Sequence, residues 1–267
     1  MADIPHVIHY CWFGGAPLAD KELACIESWR KYLPGFEIKR WDESNWNVRC
    51  CDYVSEAYNA KKWAFVSDYA RLDILYREGG LYFDTDVELI RPLDDILERG
   101  PFMGFETDFD PLKAAEGMVA PGLGMAANPG LGVYKAILDS YKGNHFIKRD
   151  GSFDTTTIVV RTTGVLLKHG LEKRPGIQSV KGVMLYPADY FNPKDMRTGD
   201  ISITENTRSI HHFSMSWYDE KGLFEHRMSK RLKKLDLPDK VVFKLCAAAE
   251  IVRFADFKRV LKKFNIE

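Results

Sequence analysis

The hydrophobic and polar positions near the start of the chain predict a strand, a helix and a second strand. Residues 7–13 form an apolar run that stops at a pair of glycines. Residues 18–33 repeat apolar side chains at helical spacing, and residues 36–41 form the next apolar run. A strand, a helix and a strand in this order are typical of the beginning of a nucleotide-binding sheet. The opening of the chain therefore predicts an α/β fold.

The clearest helical pattern covers residues 57–77, and a pair of glycines follows it directly. Large apolar side chains recur there at the spacing of one helix face, namely Phe65, Tyr69, Leu72 and Tyr76. Further along, residues 128–141 predict another helix, and residues 155–160 fit either a strand or the start of a helix. Residues 201–217 are expected to be extended.

A short apolar strand at residues 81–83 leads directly into two carboxylates, Asp84 and Asp86. In an extended segment, residues i and i+2 project to the same side. Two carboxylates that meet at one point suit Mg²⁺ or Mn²⁺, and the carboxyl end of a buried strand is where open α/β sheets bind ligands. A divalent ion there neutralises a nucleotide diphosphate and makes it a better leaving group. The motif indicates metal-dependent transfer from a nucleotide-diphosphate donor, with a solvated turn as the alternative that a bare D-x-D leaves open.

Polar side chains in two other segments are candidates to complete such a site. Asp68 and Arg71 lie three residues apart and share a helix face, which fits either phosphate and hydroxyl contacts or an ordinary surface ion pair. Residues 210–217 carry His211 and His212, and strand alternation lets only one of the two face the site. Imidazole is a suitable Mn²⁺ ligand, so this segment offers either a metal ligand or a surface strand.

The charges are balanced over the whole chain but not along it. Lys plus Arg and Asp plus Glu each number 38 in 267 residues, which argues against a general nucleic-acid binder. From Lys221 to the end there are 13 basic and 6 acidic residues, a net charge of +7. We therefore predict a catalytic domain at residues 1–220 and a basic amphipathic helical tail at residues 221–267. The tail either lies on an anionic membrane or packs on the domain, with an apolar face of Val241, Leu245, Ala248 and Val252.

The cysteines and the hydropathy pattern predict a cytoplasmic protein, which is peripheral on the inner face of the membrane if the tail binds lipid. The five cysteines are odd in number and include no C-x-x-C pair, which favours reduced thiols. The apolar stretch at the N-terminus is interrupted by His6 and His9, so we expect no signal peptide. We also expect no membrane-spanning helix, because no apolar run approaches the required length of ~20 residues.

Three blocks of sequence resemble the DxD-containing glycosyltransferase family of bacterial capsular-polysaccharide transferases and fungal initiating mannosyltransferases. They read IPHVIHYCWFGG at residues 4–15, AFVSDYARLDILYREGGLYFDTDVE at residues 64–88, and IHHFSMSW at residues 210–217. The central block is the most specific, and the resemblance extends over residues 4–218. More distantly, the layout is similar to the catalytic domain of clostridial glucosylating toxins.

The resemblance implies a GT-A fold, which is a Rossmann-like mixed sheet flanked by helices, and a UDP- or GDP-sugar donor. It implies a glycan or lipid-linked acceptor, retention of anomeric configuration and a role in bacterial surface polysaccharide synthesis. Asp68, Arg71, Asp84 and Asp86 would be the catalytic residues. Asp84, Asp86 and His211 would hold the metal, although the toxins use a carboxylate in place of the histidine. Trp12, Asp68, Arg71, Tyr82, Asp84 and Trp217 would bind the donor, with Trp12 either stacked on the base or simply a core residue.

The sequence departs from the family at position 122, where many relatives have asparagine and this chain has Gly122. That change bears on one donor contact and on the choice of sugar. If the reaction instead inverts the configuration, Glu106 or Asp108 becomes a candidate base. Two further alternatives are a haloacid-dehalogenase-like phosphatase with Asp84 as nucleophile and a sugar-binding module without turnover. The glutamate at position 88 argues against the phosphatase, which requires Thr or Val there.

Overall fold

The computed structural model describes residues 3–112, 115–195, 198–214, 220–233, 235 and 237–254. The chain divides into two compact units. The larger unit contains Met1–Pro193 and Ile203–Phe213, and the smaller one contains Lys194–Ser202 and Ser214–Glu267. The predicted division into a catalytic domain at residues 1–220 and a tail at residues 221–267 stays a prediction.

Strands and helices alternate through the larger unit. Its first half contains β1 Val7–Cys11, α1 Asp20–Tyr32, β2 Glu37–Trp41, α2 Asp52–Asn59, α3 Trp63–Glu78, β3 Gly80–Tyr82, β4 Val87–Leu89 and α4 Asp94–Leu97. Its second half contains β5 Phe102–Thr107, β6 Met118–Val119, β7 Met125–Ala127, α5 Gly132–Asp139, α6 Ile158–Lys168, β8 Gln178–Val180, β9 Val183–Tyr186, α7 Ala188–Phe191 and β10 Ser209–His211. The smaller unit contains α8 Glu220–Lys233 and α9 Asp239–Phe254.

The central sheet is mixed and runs in the order β2-β1-β3-β7-β5-β9-β8, with β6 paired to β5. Strand β1 is parallel to both β2 and β3, whereas β7 is antiparallel to both β3 and β5. The carboxyl ends of β1, β3 and β5 therefore lie along one edge of the sheet, where ligands are expected to bind. The predicted α/β fold with a Rossmann-like sheet flanked by helices is confirmed.

Each face of the sheet is covered by apolar side chains from a different helix. On one face, α3 buries residues such as Leu72 and Leu75 against Tyr82. On the other face, α1 buries Trp29 against Phe83. Alternate residues of the short strand β3 thus serve two separate cores. This double burial fixes where β3 ends and where the following carboxylates emerge.

The helix predicted over residues 57–77 is wrong in its extent, because the chain forms two helices there. Helix α2 ends at Asn59 and α3 begins at Trp63. Between them Lys61 has a φ of 56°, a left-handed conformation that no helix interior accommodates. Of the two structures that residues 155–160 allowed, the helix start is the one observed. Thr157 caps α6 by accepting a hydrogen bond from the Val160 N–H.

The segment predicted to be extended over residues 201–217 contains one short strand, β10. It pairs antiparallel with β4 in a separate two-stranded sheet, with His211 opposite Val87 and Ile210 opposite Glu88. The His212 N–H continues the pairing by donating to the Asp86 carbonyl at 2.9 Å. This small sheet places His211 and His212 beside the residues that follow β3.

Helix α9 of the smaller unit buries a different face from the one predicted to be its apolar face. Val242, Cys246 and Ala247 are buried, whereas Val241, Leu245 and Val252 are exposed by 40%, 44% and 88%. Among the described residues, no helix combines the length and the apolar character needed to span a membrane.

Candidate active site

Arg71 forms the buried centre of the candidate site. Its guanidinium contacts Asp84 twice, with Nη2 3.1 Å from Oδ1 and Nη1 3.3 Å from Oδ2. Nη2 also lies 3.1 Å from Asp68, and Nε donates to the Ser67 carbonyl one helical turn back. Burial opposes the charge of Arg71, but the nearby carboxylates of Asp84 and Asp68 outweigh it and raise its pKa. The predicted pair of Asp68 and Arg71 therefore lies in the interior and not on a surface helix.

The same contacts fix Asp84 and perturb Asp68. The Tyr82 hydroxyl donates to Asp84 Oδ1 at 3.0 Å, so this carboxylate is held by two neighbours. Burial raises the pKa of Asp68 to about 6, because the attraction of Arg71 does not fully compensate for the loss of water. A buried carboxyl with a raised pKa beside a specific charge partner is typical of a functional site.

Asp86 meets His211 from the small second sheet. His211 Nε2 lies 2.9 Å from Asp86 Oδ1, whereas the Nε2 of His212 lies 2.8 Å from Glu88 Oε2. Burial lowers the pKa of His211, but the carboxylates around it, Asp86 foremost, outweigh burial and raise it overall. Of the two histidines, His211 is thus the one beside the D-x-D motif.

Asp84, Asp86 and His211 fit a divalent cation. One ligand atom from each residue lies within 4.8 Å of the others. Within the described part of the chain, the Nδ1 atom of the buried His211 has no hydrogen-bond partner, and a buried nitrogen of this kind calls for an explanation such as an ion or a ligand. Two carboxylates and one imidazole are a donor set that suits Mn²⁺, and Mg²⁺ suits the carboxylates. If an ion binds, these three residues are the ones that would hold it.

Gly122 leaves the space that Asp84 occupies. A Cβ atom at position 122 would lie 2.2 Å from Asp84 Oδ2 and 3.0 Å from Arg71 Nη1. The Asp84 N–H donates to the Gly122 carbonyl at 3.3 Å, so the two backbones are in contact as well. Sequence reasoning identified the departure at this position but not its steric role, because the closeness arises between the end of β3 and the turn before β7, which are far apart in the sequence.

Two carboxylates lie at the end of β5, at the same edge of the sheet: Glu106 within the strand and Asp108 just after it. Asp108 accepts a hydrogen bond from the Ala188 N–H at 3.0 Å, while the carboxylate of Glu106 interacts electrostatically with His211. Burial raises the pKa of both carboxyls. The acidic character of the site therefore extends from β3 across to β5.

The structure brings together six of the predicted site residues: Asp68, Arg71, Tyr82, Asp84, Asp86 and His211. Trp12 follows β1 at the same edge and is half-buried, and its indole N–H donates to the Ala16 carbonyl at 2.6 Å. Its predicted contact with the base stays a prediction. Trp217 lies outside the described residues.

The site thus combines a D-x-D motif that follows a buried strand with a buried arginine and a histidine. Residues 19–103 match the family of the glycosyltransferase sugar-binding region containing a DXD motif. This part of the chain is therefore similar to the sugar-binding region of that glycosyltransferase family, and the family resemblance seen in the sequence is confirmed.

Individual proteins with similar sequence or structure are also glycosyltransferases. The chain is 27% identical over 117 residues to inositol phosphoceramide mannosyltransferase 1 of Schizosaccharomyces pombe. That match covers 39% of this chain and 34% of the mannosyltransferase, so the chain spans about a third of its length.

Two solved structures are similar over longer stretches. PaToxG glycosyltransferase matches 62% of this chain and 69% of its own, at 17% identity and a TM-score of 0.43. A glycosyltransferase involved in glycosylation of the major capsid of PBCV-1 matches 80% of this chain and 95% of its own, at 10% identity and a TM-score of 0.43.

Proposed function

We propose that the protein is a glycosyltransferase that moves a sugar from a UDP- or GDP-sugar to a glycan or lipid-linked acceptor, in bacterial surface polysaccharide synthesis. The observation that carries the proposal is the convergence of Asp84, Asp86 and His211 beside the buried Arg71. The match to a DXD sugar-binding region supports this interpretation over a phosphatase that uses Asp84 as nucleophile. These three ligands suit Mn²⁺ or Mg²⁺, which would neutralise charge on the departing diphosphate.

The residues of the chain have separable tasks in this reaction. Arg71 supplies fixed positive charge for a phosphate or a sugar hydroxyl, and Asp68 accepts hydrogen bonds from hydroxyls when it is ionised. In the transfer, the acceptor hydroxyl oxygen bonds to the anomeric carbon as the bond from that carbon to the diphosphate breaks. The electron pair leaves on the diphosphate, which can also take up the hydroxyl proton.

We propose that the anomeric configuration is retained, since this is the stereochemistry that the family resemblance implies. No dedicated general base is then required. The anomeric configuration of the product, read by NMR against that of the donor, tests this step. An inverted product would contradict retention and would require a carboxylate base near the acceptor.

A donor screen tests the proposed function directly. Purified protein is incubated with UDP-glucose, UDP-galactose, UDP-N-acetylglucosamine or GDP-mannose, with Mn²⁺, Mg²⁺ or EDTA, and release of the nucleoside diphosphate is measured. We expect one donor to be consumed with a divalent ion, and no turnover in EDTA. Asp86→Asn should lower turnover by on the order of 10² to 10³-fold, because Asp86 is a proposed ligand.

Asp94→Asn is the matched control, because Asp94 is an exposed carboxylate at the start of α4, away from the site. It should leave turnover unchanged. A folded Asp86→Asn protein as active as the Asp94→Asn protein would rule out the proposed site. Turnover that persists in EDTA would rule out the metal.

We also propose that the protein acts in the cytoplasm and docks on the inner face of the membrane through its C-terminal helices. The exposed apolar side chains Val241, Leu245 and Val252 of α9 support this, because they lie at helical spacing on one face. The exposed Lys240 and Lys244 on the same helix favour anionic lipid. Membrane docking would give the protein access to a lipid-linked acceptor.

A further inference from the structure

Glu106 belongs to the same edge of the sheet as the D-x-D motif. Strands β3 and β5 are both antiparallel to β7, so they are parallel to each other and end on the same side. Asp84 and Asp86 follow β3, and Glu106 lies near the end of β5, beyond β7. Glu106 therefore lies at the same edge of the sheet as the proposed donor site, two strands away from β3.

A bulge in β5 presents Glu106. Phe105 pairs with Val119 and Thr107 with Met118, so two steps along β5 correspond to one step along β6. Glu106 is the extra residue between these pairs, and bulges of this kind often redirect a side chain at a functional site. The Asn192 amide donates to the Glu106 carbonyl at 2.9 Å, which fixes the backbone at the bulge.

The carboxylate at this bulge has no structural task within the described chain. Asp108, two residues on, is engaged by the Ala188 N–H, whereas the half-buried Glu106 carboxylate makes no hydrogen bond or ion pair with the described residues. It interacts electrostatically with His211, which places it on the side of the site where Asp86 lies. A half-buried carboxylate has lost part of its solvation, and a hydroxyl donor from a ligand would compensate for that loss.

We infer that Glu106 positions the acceptor, by accepting a hydrogen bond from a hydroxyl of the acceptor sugar. The inference rests on the proposed function, because it assigns the acceptor side of the same site. It concerns binding and orientation, so no proton or bond changes hands at Glu106. Donor binding and donor hydrolysis by water do not depend on this contact.

The test compares transfer with hydrolysis in the same protein. The donor that the wild-type protein consumes in the screen is combined with octyl glycosides of mannose, glucose and galactose, and glycosylated product and free sugar are both measured. Glu106→Leu should raise the KM for the acceptor and lower the ratio of transfer to hydrolysis by on the order of 10- to 100-fold. Hydrolysis of the donor should fall much less than transfer does. The ratio of transfer to hydrolysis in Glu106→Gln should lie between those of the wild type and Glu106→Leu, because the amide oxygen can still accept a hydrogen bond.

Stability and a control variant separate this role from a structural one. Both Glu106 variants should have a Tm equal to or above that of the wild type, because no protein partner is lost. Glu116→Leu removes an exposed carboxylate that pairs only with Lys173 in the described chain, and it should leave the ratio unchanged.

Three results would overturn the inference. An unchanged ratio in Glu106→Leu, or a lowered Tm with parallel losses of transfer and hydrolysis, would refute the inference alone. A wild-type protein that consumes no donor and glycosylates no acceptor would refute the proposed function together with it.

Discussion

Gly122 and Asp84 are in contact without a side chain between them, and this contact can be tested by adding one methyl group. In Gly122→Ala the new Cβ would meet Asp84 Oδ2 at 2.2 Å, so the carboxylate must leave its position on Arg71. We expect kcat/KM for donor hydrolysis to fall by on the order of 10²-fold, since a displacement of about 1 Å at a reacting centre has that effect.

Gly132→Ala is the control for this substitution. A Cβ atom at Gly132 meets nothing within 4 Å, and the residue opens helix α5. Its activity should match that of the wild type. If Gly122→Ala is equally active, Asp84 has room to move and its contact with Arg71 is not required.

His9 predicts a dependence of stability on pH. It lies in the core, where Trp41 Nε1–H donates to Nδ1 and Nε2–H donates to the Gly79 carbonyl, both at 3.0 Å. Burial is the main reason that its pKa falls from 6.5 to about 4; Lys39 and Arg77 act in the same direction, and Glu78 and the Gly79 carbonyl oppose it. The unfolded chain therefore binds a proton between pH 6.5 and 4 that the folded chain does not bind.

The free energy of unfolding should consequently fall as the pH drops through this window, by on the order of 3 kcal/mol from His9 alone. Urea denaturation at pH 7.5 and pH 5 measures about 2 kcal/mol of this change, because pH 5 lies within the window. His9→Gln should show a smaller loss between the two values, because glutamine does not titrate. His6→Gln replaces an exposed histidine and should behave like the wild type. Equal pH dependence in all three proteins would contradict this account.

At the scale of elements, helix α1 holds the small second sheet in place. The indole N–H of the fully buried Trp29 donates to the Val87 carbonyl of β4 at 2.7 Å. Ser28 Oγ accepts from the Leu89 N–H at 2.9 Å. Because β4 pairs with β10, these contacts from α1 support the strand that carries His211.

Trp29→Phe should therefore weaken the fold and the site together. The Val87 carbonyl would lose its partner in the core, at a cost of about 1–3 kcal/mol in the free energy of unfolding. Donor turnover should fall as well. In Trp63→Phe the lost indole N–H makes no hydrogen bond within the described chain, so a smaller effect is expected. Urea denaturation of both variants checks the difference, and equal losses would argue against a specific role for the Trp29 hydrogen bond.

The sequence predicts those elements and contacts that arise from local pattern. Residues 81–83 were expected to form a strand that presents Asp84 and Asp86 to one point, because alternation along an extended segment is a local rule. The break at Lys61 was not expected, since a left-handed lysine leaves the helical spacing around it intact. Pattern also left His211 and His212 undecided, because the choice depends on the register of β10 against β4.

Side-chain positions that depend on long-range strand pairing cannot be predicted from the sequence, for the same reason. The bulge at Glu106 exists only in the pairing of β5 with β6, and nothing in the residues around position 106 marks it. The place of Gly122 beside Asp84 depends in the same way on β3 and the turn before β7. The D-x-D motif thus predicted where the candidate site lies. The places of Glu106 and Gly122 could be read only from the folded sheet.

On the scale of the whole molecule, the charge is distributed unevenly, with +7 in residues 221–267 and −7 in the rest. Attraction to anionic lipid is worth about 1 kcal/mol per basic residue near the surface and is screened by salt. We predict that the protein binds vesicles rich in phosphatidylglycerol at low salt and is released as salt rises. Co-sedimentation with the vesicles measures this.

The apolar face of α9 is tested by the triple variant Val241→Asn, Leu245→Asn and Val252→Asn. These side chains are exposed, so the fold should be preserved while vesicle binding falls. Leu112→Asn changes a side chain that is 98% exposed in the larger unit and should leave binding unchanged. Vesicle binding that survives the triple variant would show that α9 is not the docking surface.

The pairing of β4 with β10 also has a consequence for synthesis of the protein. Asp86 and His211 are separated by 125 positions in the chain. A ribosome adds about 5–20 residues per second, so roughly 6 to 25 s pass between the emergence of the aspartate and that of the histidine. During this interval the nascent chain exposes two carboxylates without the imidazole that later neutralises part of their charge. The two carboxylates and the His211 imidazole are therefore present together only late in translation, after most strands of the sheet have been synthesised.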